Sequence, residues 1–373
     1  MREQYCSHEH DRLRSNKALI MITSIDIGNS NVKIVQSELN NNKLHILKAG
    51  SKLIANDTKK IPETISQAQF IATVTDLCKE MGINPRRTKN IISGLTGKEV
   101  SIKQLTTLEM NEEDLATSLE FEAKKHIPLD GTEPILDYHI IGQNKEEIDK
   151  NDLLLVATTK NYINKHNDIM KKSGFKSNIF DADPLALMNM YLYSNELPEE
   201  GVDVLINIGD STTTLMCWGK NHRFFVRELD ISGSKFTSEI MQNNSTDYNE
   251  ALELKSQKGI DALNDSSASE DGSEEHDPLA IKVEQKTVFS SLVDEMRKTL
   301  RYYMKTSNQA FFNKFYLTGG SAEMLGLKEY VGENLNVDVE VLDPFKNTDC
   351  SLEIENPAQY AVAIGMAVRG LDK

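Results

Sequence analysis

Short apolar runs and one strong helical repeat organise the first part of the chain. The runs predict four strands, near Ile22–Ile27, Val32–Ser37, Leu44–Ala49 and Asn90–Leu95. The repeat consists of Phe70, Ile71, Val74, Leu77, Cys78 and Met81, a spacing that is typical of an amphipathic helix. We therefore predict a β-β-β-α-β unit whose helix ends at Gly82, shortly before Pro85.

A smaller pattern follows, from about Val100 to Lys176. It predicts strands at Val100–Leu105, Ile135–Gly142 and Leu153–Thr158, and helices at Glu112–His126 and Asn161–Ser173. The charged run from Lys145 to Asp152 is typical of a hairpin loop between two of these strands. Two interpretations stay open: a subdomain with a role of its own, or simply a large insertion.

The first pattern then returns in the second half of the chain. Strands are predicted at Val202–Ile208, Thr214–Trp218 and Arg223–Leu229, and another begins at Lys314. The apolar stripe of a long helix consists of Phe289, Leu292, Val293, Met296, Leu300 and Tyr303. A helix rich in Ala and Gly is predicted from Pro357 to Gly370. This order indicates two lobes related by duplication.

Composition narrows the functional classes. The 373 residues include 39% hydrophobic and 27% charged residues, and the formal charge of −15 disfavours binding to nucleic acid or to an anionic membrane. No apolar run approaches the roughly 18 residues of a spanning helix, and Met1–Lys17 lacks the apolar core of a signal peptide. We therefore expect a cytoplasmic protein, with Met1 or Met21 as its start.

Two similar glycine turns, one in each half, carry the functional signal. They lie in SIDIGNSNVK, from Ser24 to Lys33, and in LINIGDSTTTL, from Leu205 to Leu215. Gly28 and Gly209 allow backbone conformations closed to other residues and allow an anion to approach the peptide N–H groups. Such turns are often ordinary hairpin loops, but one in each half suggests a phosphate site in a cleft between duplicated lobes.

A third glycine motif and several polar residues extend this site. KFYLTGGSAEMLGL, from Lys314 to Leu327, places a glycine pair at a strand end, where nucleotides dock in open α/β sheets. Hydroxyl donors come from Ser30, Ser211 and Thr212. Asp26 and Asn207 enter the two turns from strand ends, where their oxygens could hold Mg²⁺ or its waters. Together these segments predict one ATP site.

The order of these motifs resembles the actin, Hsp70 and sugar-kinase superfamily, and within it the PilM family of type IV pilus assembly, a relative of FtsA. The resemblance covers Ile22 to Arg369 and includes LEFEAKKHIPLD, FDADPLAL, RELDISGSKFTSEI and YAVAIGMAVR. It implies an α/β fold of the actin-like, ribonuclease H-like duplicated type, with two lobes and an inserted subdomain 1C.

The resemblance also implies domain boundaries. We expect a disordered extension at residues 1–20, subdomain 1A at 21–99 and 178–200, subdomain 1C at 100–177, the second lobe with subdomains 2A and 2B at 201–356, and a C-terminal helix returning to the first lobe at 357–373. Within the second lobe, residues 261–277 hold seven carboxylates and no Lys or Arg. Such a tract cannot bury enough apolar area to order itself, so we expect a solvated loop.

Site residues follow from the motifs and the resemblance together. The predicted nucleotide-binding residues are Asp26, Gly28, Asn29, Ser30, Asn31, Lys33, Gly209, Asp210, Ser211, Thr212, Gly233, Glu253, Lys255, Gly319, Gly320 and Ser321. Lys33 could instead be a solvent-facing strand lysine. Asp183 matches the acidic position from which relatives orient the attacking water, although a helix N-cap would explain it as well.

Three departures from the superfamily pattern predict slow or absent hydrolysis. Asn207 stands where the second phosphate turn usually begins with aspartate, which removes a charge that attracts Mg²⁺. Asp183 is one methylene shorter than the usual glutamate. Leu252 occupies a position where relatives typically carry a ribose-contacting glutamate. We therefore expect the chain to bind ATP but to hydrolyse it slowly or not at all.

The family resemblance implies a scaffold rather than a metabolic enzyme. PilM relatives are recruited to the inner membrane by the cytoplasmic N-terminal peptide of the membrane protein PilN, which implies a peptide groove between subdomains 1A and 1C. Pilus assembly ATPases are further implied partners, whereas nucleic acid and direct membrane insertion are not. Two alternatives remain: a filament former similar to FtsA, and a small-molecule kinase of the same superfamily.

Overall fold

The computed structural model describes residues 20–40, 43–54, 65–127, 130–176, 179–263, 287–307 and 311–371. Residues 1–19 of the predicted extension and residues 264–277 of the predicted acidic loop lie outside this part. The start of the acidic tract is folded: residues 261–263 belong to a 3₁₀ helix, Gly259–Leu263. Ala262 and Leu263 pack into the core of the second lobe, so the predicted loop boundary at residue 261 was too early.

The first lobe is built on a five-stranded mixed sheet. Its strands are β1 (Met21–Ile27), β2 (Asn31–Asn40), β3 (Lys43–Leu53), β4 (Ile91–Leu95) and β8 (Ile179–Ala182), in the order β3-β2-β1-β4-β8. β1 pairs antiparallel with β2 and parallel with β4, and β4 pairs parallel with β8. β1 is central and buried on both faces after its first residue.

The second lobe repeats this topology. Its strands are β9 (Val202–Ile208), β10 (Thr213–Gly219), β11 (His222–Leu229), β12 (Phe312–Thr318) and β13 (Val339–Val341), in the order β11-β10-β9-β12-β13. β9 pairs antiparallel with β10 and parallel with β12, as β1 does with β2 and β4. The predicted α/β class with lobe-level duplication is confirmed.

The described residues contain nine α-helices. They are α1 (Gln67–Glu80), α2 (Glu112–Ala123), α3 (Lys160–Lys172), α4 (Asp183–Ser194), α5 (Gly233–Asn244), α6 (Tyr248–Lys258), α7 (Val288–Ser307), α8 (Leu327–Leu335) and α9 (Ala361–Arg369). α1 and α3 cover the outer face of the first sheet, and α5, α7 and α8 cover that of the second. The capping box of Ser66 and Gln69 fixes the start of α1.

The two helices α4 and α9 lie between the lobes. One apolar cluster joins them to Ile22, Val35 and Ile92 of the first sheet and to Leu205, Met216 and Tyr316 of the second. Their mutual contact is very close: a Cβ added at Gly365 of α9 would overlap the carbonyl oxygen of Ala186 in α4. The spacing of the lobes therefore depends on small residues in these two helices.

A small sheet unit is inserted between β4 and β8. It contains β5 (Val100–Leu108), β6 (Pro134–Gln143) and β7 (Lys150–Thr159) in the order β5-β7-β6, with α2 packed on one face. The following helix α3 contributes Ile169 and Met170 to the first-lobe core instead. β5 reaches the second lobe, where the Phe224 N–H donates to Gln104 Oε1 over 2.7 Å.

The sequence pattern placed most elements but missed some ends. The helix predicted at Glu112–His126 ends at Ala123, and the strand predicted at Val100–Leu105 continues to Leu108. The final helix predicted at Pro357–Gly370 is divided into a 3₁₀ turn, Pro357–Tyr360, and α9. Among the described residues, no helix combines the length and the apolar character that crossing a bilayer requires.

A pair of identical substitutions tests the contact between α4 and α9. Gly→Ala favours an exposed helix by about 1 kcal/mol, yet Gly365→Ala forces a methyl group into the Ala186 backbone. We expect Gly365→Ala to lower the free energy of unfolding by about 2 kcal/mol or more. A Cβ at Gly332 in α8 would lie 3.2 Å from the carbonyl oxygen of Val337, which a small local shift can accommodate. The effect of Gly332→Ala on the free energy of unfolding should therefore stay within about 1 kcal/mol. Equal effects in denaturant titrations would contradict the close packing.

Candidate functional site

A cavity of about 500 Å³ lies between the lobes. Sixteen of the predicted residues line it, namely Asp26, Gly28, Asn29, Ser30, Asn31, Lys33, Asp183, Asn207, Gly209, Asp210, Ser211, Thr212, Lys255, Gly319, Gly320 and Ser321. The structure thus brings both glycine turns, the third glycine motif and Asp183 to one place. Their role in binding a nucleotide stays a prediction.

The two glycine turns have the same geometry. Gly28 N–H donates to Asn31 O over 3.1 Å, and Gly209 N–H donates to Thr212 O over 3.0 Å. Each hairpin is thus closed by a two-residue loop, Asn29-Ser30 and Asp210-Ser211 respectively. Neither glycine has a positive φ, so the expected need for an unusual backbone conformation was wrong. A Cβ at either glycine would lie 3.0 Å from the opposing carbonyl oxygen, so a larger residue would require the turn to shift by a few tenths of an ångström.

Helix α5 supports the second turn from behind. Its first N–H groups donate to the turn, Gly233 to Gly209 O and Ser234 to Asp210 O, each over 2.9 Å. A Cβ at Gly233 would lie 2.7 Å from Ser321 Oγ. Gly233 therefore packs between the second turn and the third glycine motif without lining the cavity. Its predicted role in nucleotide binding stays a prediction.

The third glycine motif crosses the end of β12. Gly319 has φ +93°, a conformation that favours glycine, and its N–H donates to Ala358 O over 3.0 Å. Thr318 Oγ1 donates to the same oxygen over 3.0 Å. No heavy atom lies within 4 Å of a Cβ added at Gly320. Open space therefore adjoins the backbone at this point of the cavity.

Asp183 is a buried carboxyl group at the cavity whose pKa is strongly perturbed. Burial raises its pKa well above the ordinary value, and the negative charge of Asp26 adds to this, while Thr96 and Lys33 oppose it. Its Oδ1 is buried without a hydrogen-bond partner and would lie 2.5 Å from a Cβ at Gly94. The N-cap of α4 is Ala182, without a side-chain cap bond. The alternative interpretation of Asp183 as an N-cap is therefore wrong.

Two lysines place positive charge at the cavity. Lys33 Nζ lies 3.1 Å from Asp26 Oδ2, and its side chain is only 14% exposed, so it is not a solvent-facing strand lysine. Lys255 Nζ donates to Gly233 O and to Ser321 Oγ, each over 3.1 Å. Burial lowers the pKa of Lys255 to about 8, although the negative charge of Asp210 acts to raise it. Burial in turn raises the pKa of Asp210.

A chain of polar contacts links the first turn to the segment before α9. Asn31 Nδ2 donates to Ser51 Oγ over 3.2 Å, and Ser51 Oγ donates to Gln359 Oε1 over 3.1 Å. Asn356 Nδ2 donates to Gly320 O over 3.1 Å. Residues 356–360 thus contact both lobes at the edge of the cavity. These contacts connect the first turn and the third glycine motif to the residues immediately before α9.

Sequence reasoning missed several lining residues and included two, Gly233 and Glu253, that do not line the cavity. Glu253 is exposed on α6 and does not line the cavity, whereas its neighbours Leu252 and Ser256 do. The missed residues also include Thr96, Thr214, Glu323, Met324, Asn356 and Gln359. The 3.6-residue period of α6 could have indicated Leu252, Lys255 and Ser256 as one face. The others lie on segments without a motif of their own.

Comparisons with known proteins agree with this architecture. The family model described as type IV pilus assembly protein PilM matches residues 24–269 and 280–371. Cell division protein FtsA of Bacillus subtilis is 24% identical over 93% of this chain and 82% of its own length. FtsA of Staphylococcus epidermidis strain RP62A is 22% identical, over 86% and 74% respectively.

Solved structures show the same fold. The structure of a PilM-PilN type IV pilus biogenesis complex has a TM-score of 0.76 and 21% identity, covering 95% of this chain and 99% of that chain. The ethanolamine utilization protein EutJ of Carboxydothermus hydrogenoformans has a TM-score of 0.50 and 11% identity, over 94% and 89%. The fold is two-lobed and actin-like. Because the family model spans most of its length, the chain belongs to the family of the type IV pilus assembly protein PilM.

Proposed function

We propose that this chain binds ATP with Mg²⁺ between its lobes, hydrolyses it slowly or not at all, and acts as a scaffold at the inner-membrane platform of a type IV pilus or related secretion system. A PilN-like membrane protein recruits it through a cytoplasmic N-terminal peptide. The observation that carries the nucleotide part is the pair of two-residue turns that enter one cavity from opposite lobes.

The donor set of the cavity fits a polyphosphate. The hydroxyl groups of Ser30, Ser211 and Thr212 and the ammonium group of Lys33 line the same cavity, and turn N–H groups are common anion ligands. The nucleoside is assigned to the neighbouring side, where Leu252, Lys255, Ser256, Gly320 and Met324 lie. The open space at Gly320 supports this assignment.

The acidic residues fit a magnesium ion that is bound mainly through water and phosphate. Mg²⁺ usually keeps several waters and takes one or two carboxylates plus substrate phosphates. Asp26 and Asn207 both line the cavity. The described residues contain no cluster of three or more His, Cys, Asp and Glu that could enclose a metal unaided. Asp26, Asn207 and the nucleotide phosphates would therefore hold the ion jointly. The ion would shield the charge of the phosphates.

Asp183 is assigned the role of orienting water for hydrolysis, and its environment supports a slow reaction. Its raised pKa favours the protonated carboxyl, which is a poor acceptor for a proton from water. Asn207 adds no negative charge to help hold the metal. Bound ATP would then act chiefly by holding the two lobes together.

Recruitment by a peptide rests on family membership and on the small sheet unit. The related structure named above is a complex of PilM with PilN. We assign β5, α2, β6 and β7 to subdomain 1C, and place the peptide groove between it and subdomain 1A. Tyr162 fixes this junction, since its OH donates to Thr96 O over 2.8 Å. This arrangement localises the protein in the cytoplasm beside the inner membrane, where pilus assembly ATPases are further proposed partners.

Graded substitution at Gly320 tests the nucleotide site. Gly320→Ala and Gly320→Val enter open space, so both variants should fold, and each added methyl group should occupy volume that the ligand needs. We expect the affinity for ATP with Mg²⁺, measured by calorimetry, to fall about tenfold or more in Gly320→Val. Gly332→Ala is the control and should bind like the unaltered chain. Unchanged binding by a folded Gly320→Val would contradict the site.

The pH dependence of stability tests the state of Asp183. Because the folded chain holds this proton more tightly than the unfolded chain, stability falls as the pH rises above the ordinary value of 3.8 toward the folded-state pKa. Asp183→Asn should therefore raise the melting temperature at neutral pH without nucleotide. This gain should vanish as the pH is lowered to about 3.8, where the unfolded chain also holds the proton. Asp230→Asn should not stabilise, since a hydrogen bond from Lys98 lowers the pKa of that exposed carboxyl.

Excision of the small sheet tests recruitment. Val100 and Thr158 face each other across β5 and β7, so residues 101–157 can be replaced by a short glycine linker that leaves α3 in the first-lobe core. A fluorescent PilN-like N-terminal peptide should bind the full chain and lose about tenfold or more in affinity for this variant, while ATP binding remains. A chain shortened within residues 264–286 is the control and should keep the peptide. Equal peptide binding by the excised variant would contradict the groove.

A further inference from the structure

The outer edge of β6 is the strongest feature that the proposed function does not use. In the described residues β6 pairs only with β7, and Ile135, Ile140 and Ile141 are 43%, 46% and 54% exposed. Edge strands are usually protected by lysine, proline or a bulge. Here Pro134 begins the strand and a register shift follows Ile140, but residues 135–142 contain no Lys or Arg.

The backbone groups at this edge can be identified from the ladder. The carbonyl oxygen of Glu133 accepts from the Lys160 N–H over 3.1 Å, so the backbone groups of residue 133 point toward β7. Since N–H and C=O directions alternate along an antiparallel strand, Leu136, Tyr138 and Ile140 point their backbone groups outward. Two details agree with this assignment. Pro134, which has no N–H, lies at an outward position, and Tyr138 N–H donates to the Asp137 side chain over 2.9 Å.

The outward residues define one symmetric pairing. If Tyr138 lies opposite Tyr138 of a second copy, Leu136 lies opposite Ile140, and all three outward positions form ladder bonds. The same register places Asp137 opposite His139 twice, as non-hydrogen-bonded pairs whose side chains lie closest. The carboxylate that now accepts from Tyr138 N–H is then released to accept from an imidazole N–H. Backbone, apolar side chains and charge are thus complementary in a single register.

We propose that two copies of this chain pair through their β6 edges, antiparallel about a two-fold axis at Tyr138, to form a continuous six-stranded sheet. The self-complementarity of the strand favours a second copy over a foreign strand, because an unrelated sequence would need to match the Asp137 and His139 positions independently. A two-fold interface requires that each contact occur twice. The proposal is independent of ATP binding.

Charge substitutions test the register. The full chain should show a concentration-dependent dimer in sedimentation velocity. Asp137→Lys and His139→Asp should each weaken it about tenfold or more, since each change affects two cross-strand pairs. The double variant Asp137→Lys/His139→Asp exchanges the acidic and basic sides of each cross-strand pair, so it should regain the dimer. Glu146→Lys, in the hairpin beyond the paired segment, makes the same charge change as Asp137→Lys and should have no effect.

A cysteine cross-link tests the two-fold axis directly. Directly opposite Cα atoms in a hydrogen-bonded antiparallel pair are about 5.5 Å apart, within the range of a disulfide. In a chain with Cys6 and Cys350 replaced by serine, Tyr138→Cys should form a disulfide-linked dimer on oxidation. Ile148→Cys, at 79% exposure but outside the register, should not. A strictly monomeric chain, a double variant that stays monomeric while folded, or equal cross-linking at both cysteines would overturn the proposal.

Discussion

The contact of α4 with α9 is the constraint on which the rest of the molecule depends. Each helix belongs to the layer between the sheets, and the backbone of Ala186 occupies the space that a side chain at position 365 would need. Helices this close fix the distance between two sheets of the same topology. The hairpin turns at the ends of β1 and β9 line one cavity between the lobes. The site is thus a consequence of helix packing as much as of its own residues.

The cavity includes groups that folding alone does not favour. Asp183 and Asn356 each bury a side-chain oxygen without a hydrogen-bond partner, and Lys255 is buried enough for its pKa to fall to about 8. An unpaired buried polar group costs roughly 1–3 kcal/mol. Such groups usually persist where a ligand or a reaction uses them. The same segment that carries Asn356 leads into α9, so a ligand that satisfies these groups would also stabilise the layer between the lobes.

Local chemistry determined how much of this could be predicted from sequence. The glycine turns were recognisable because a two-residue loop has strict requirements, and fourteen of the lining residues belong to the two turns and the third glycine motif or flank them. Thr96, Asn356 and Gln359 were missed because each reaches the cavity through tertiary packing, without a local pattern. Glu253 does not line the cavity although its neighbour Leu252 does, since a helix turns about 100° per residue. The N-cap interpretation of Asp183 could be excluded only once α4 was seen to begin at that residue.

The central claim is that one nucleotide bridges both lobes through the two glycine turns. A structure of the chain with Mg²⁺ and a non-hydrolysable ATP analogue tests it most directly. The account predicts that the phosphates lie between Gly28–Asn31 and Gly209–Thr212, with the nucleoside beside Gly320 and Lys255. A nucleotide bound to one lobe alone, or with its phosphates away from both turns, would contradict it.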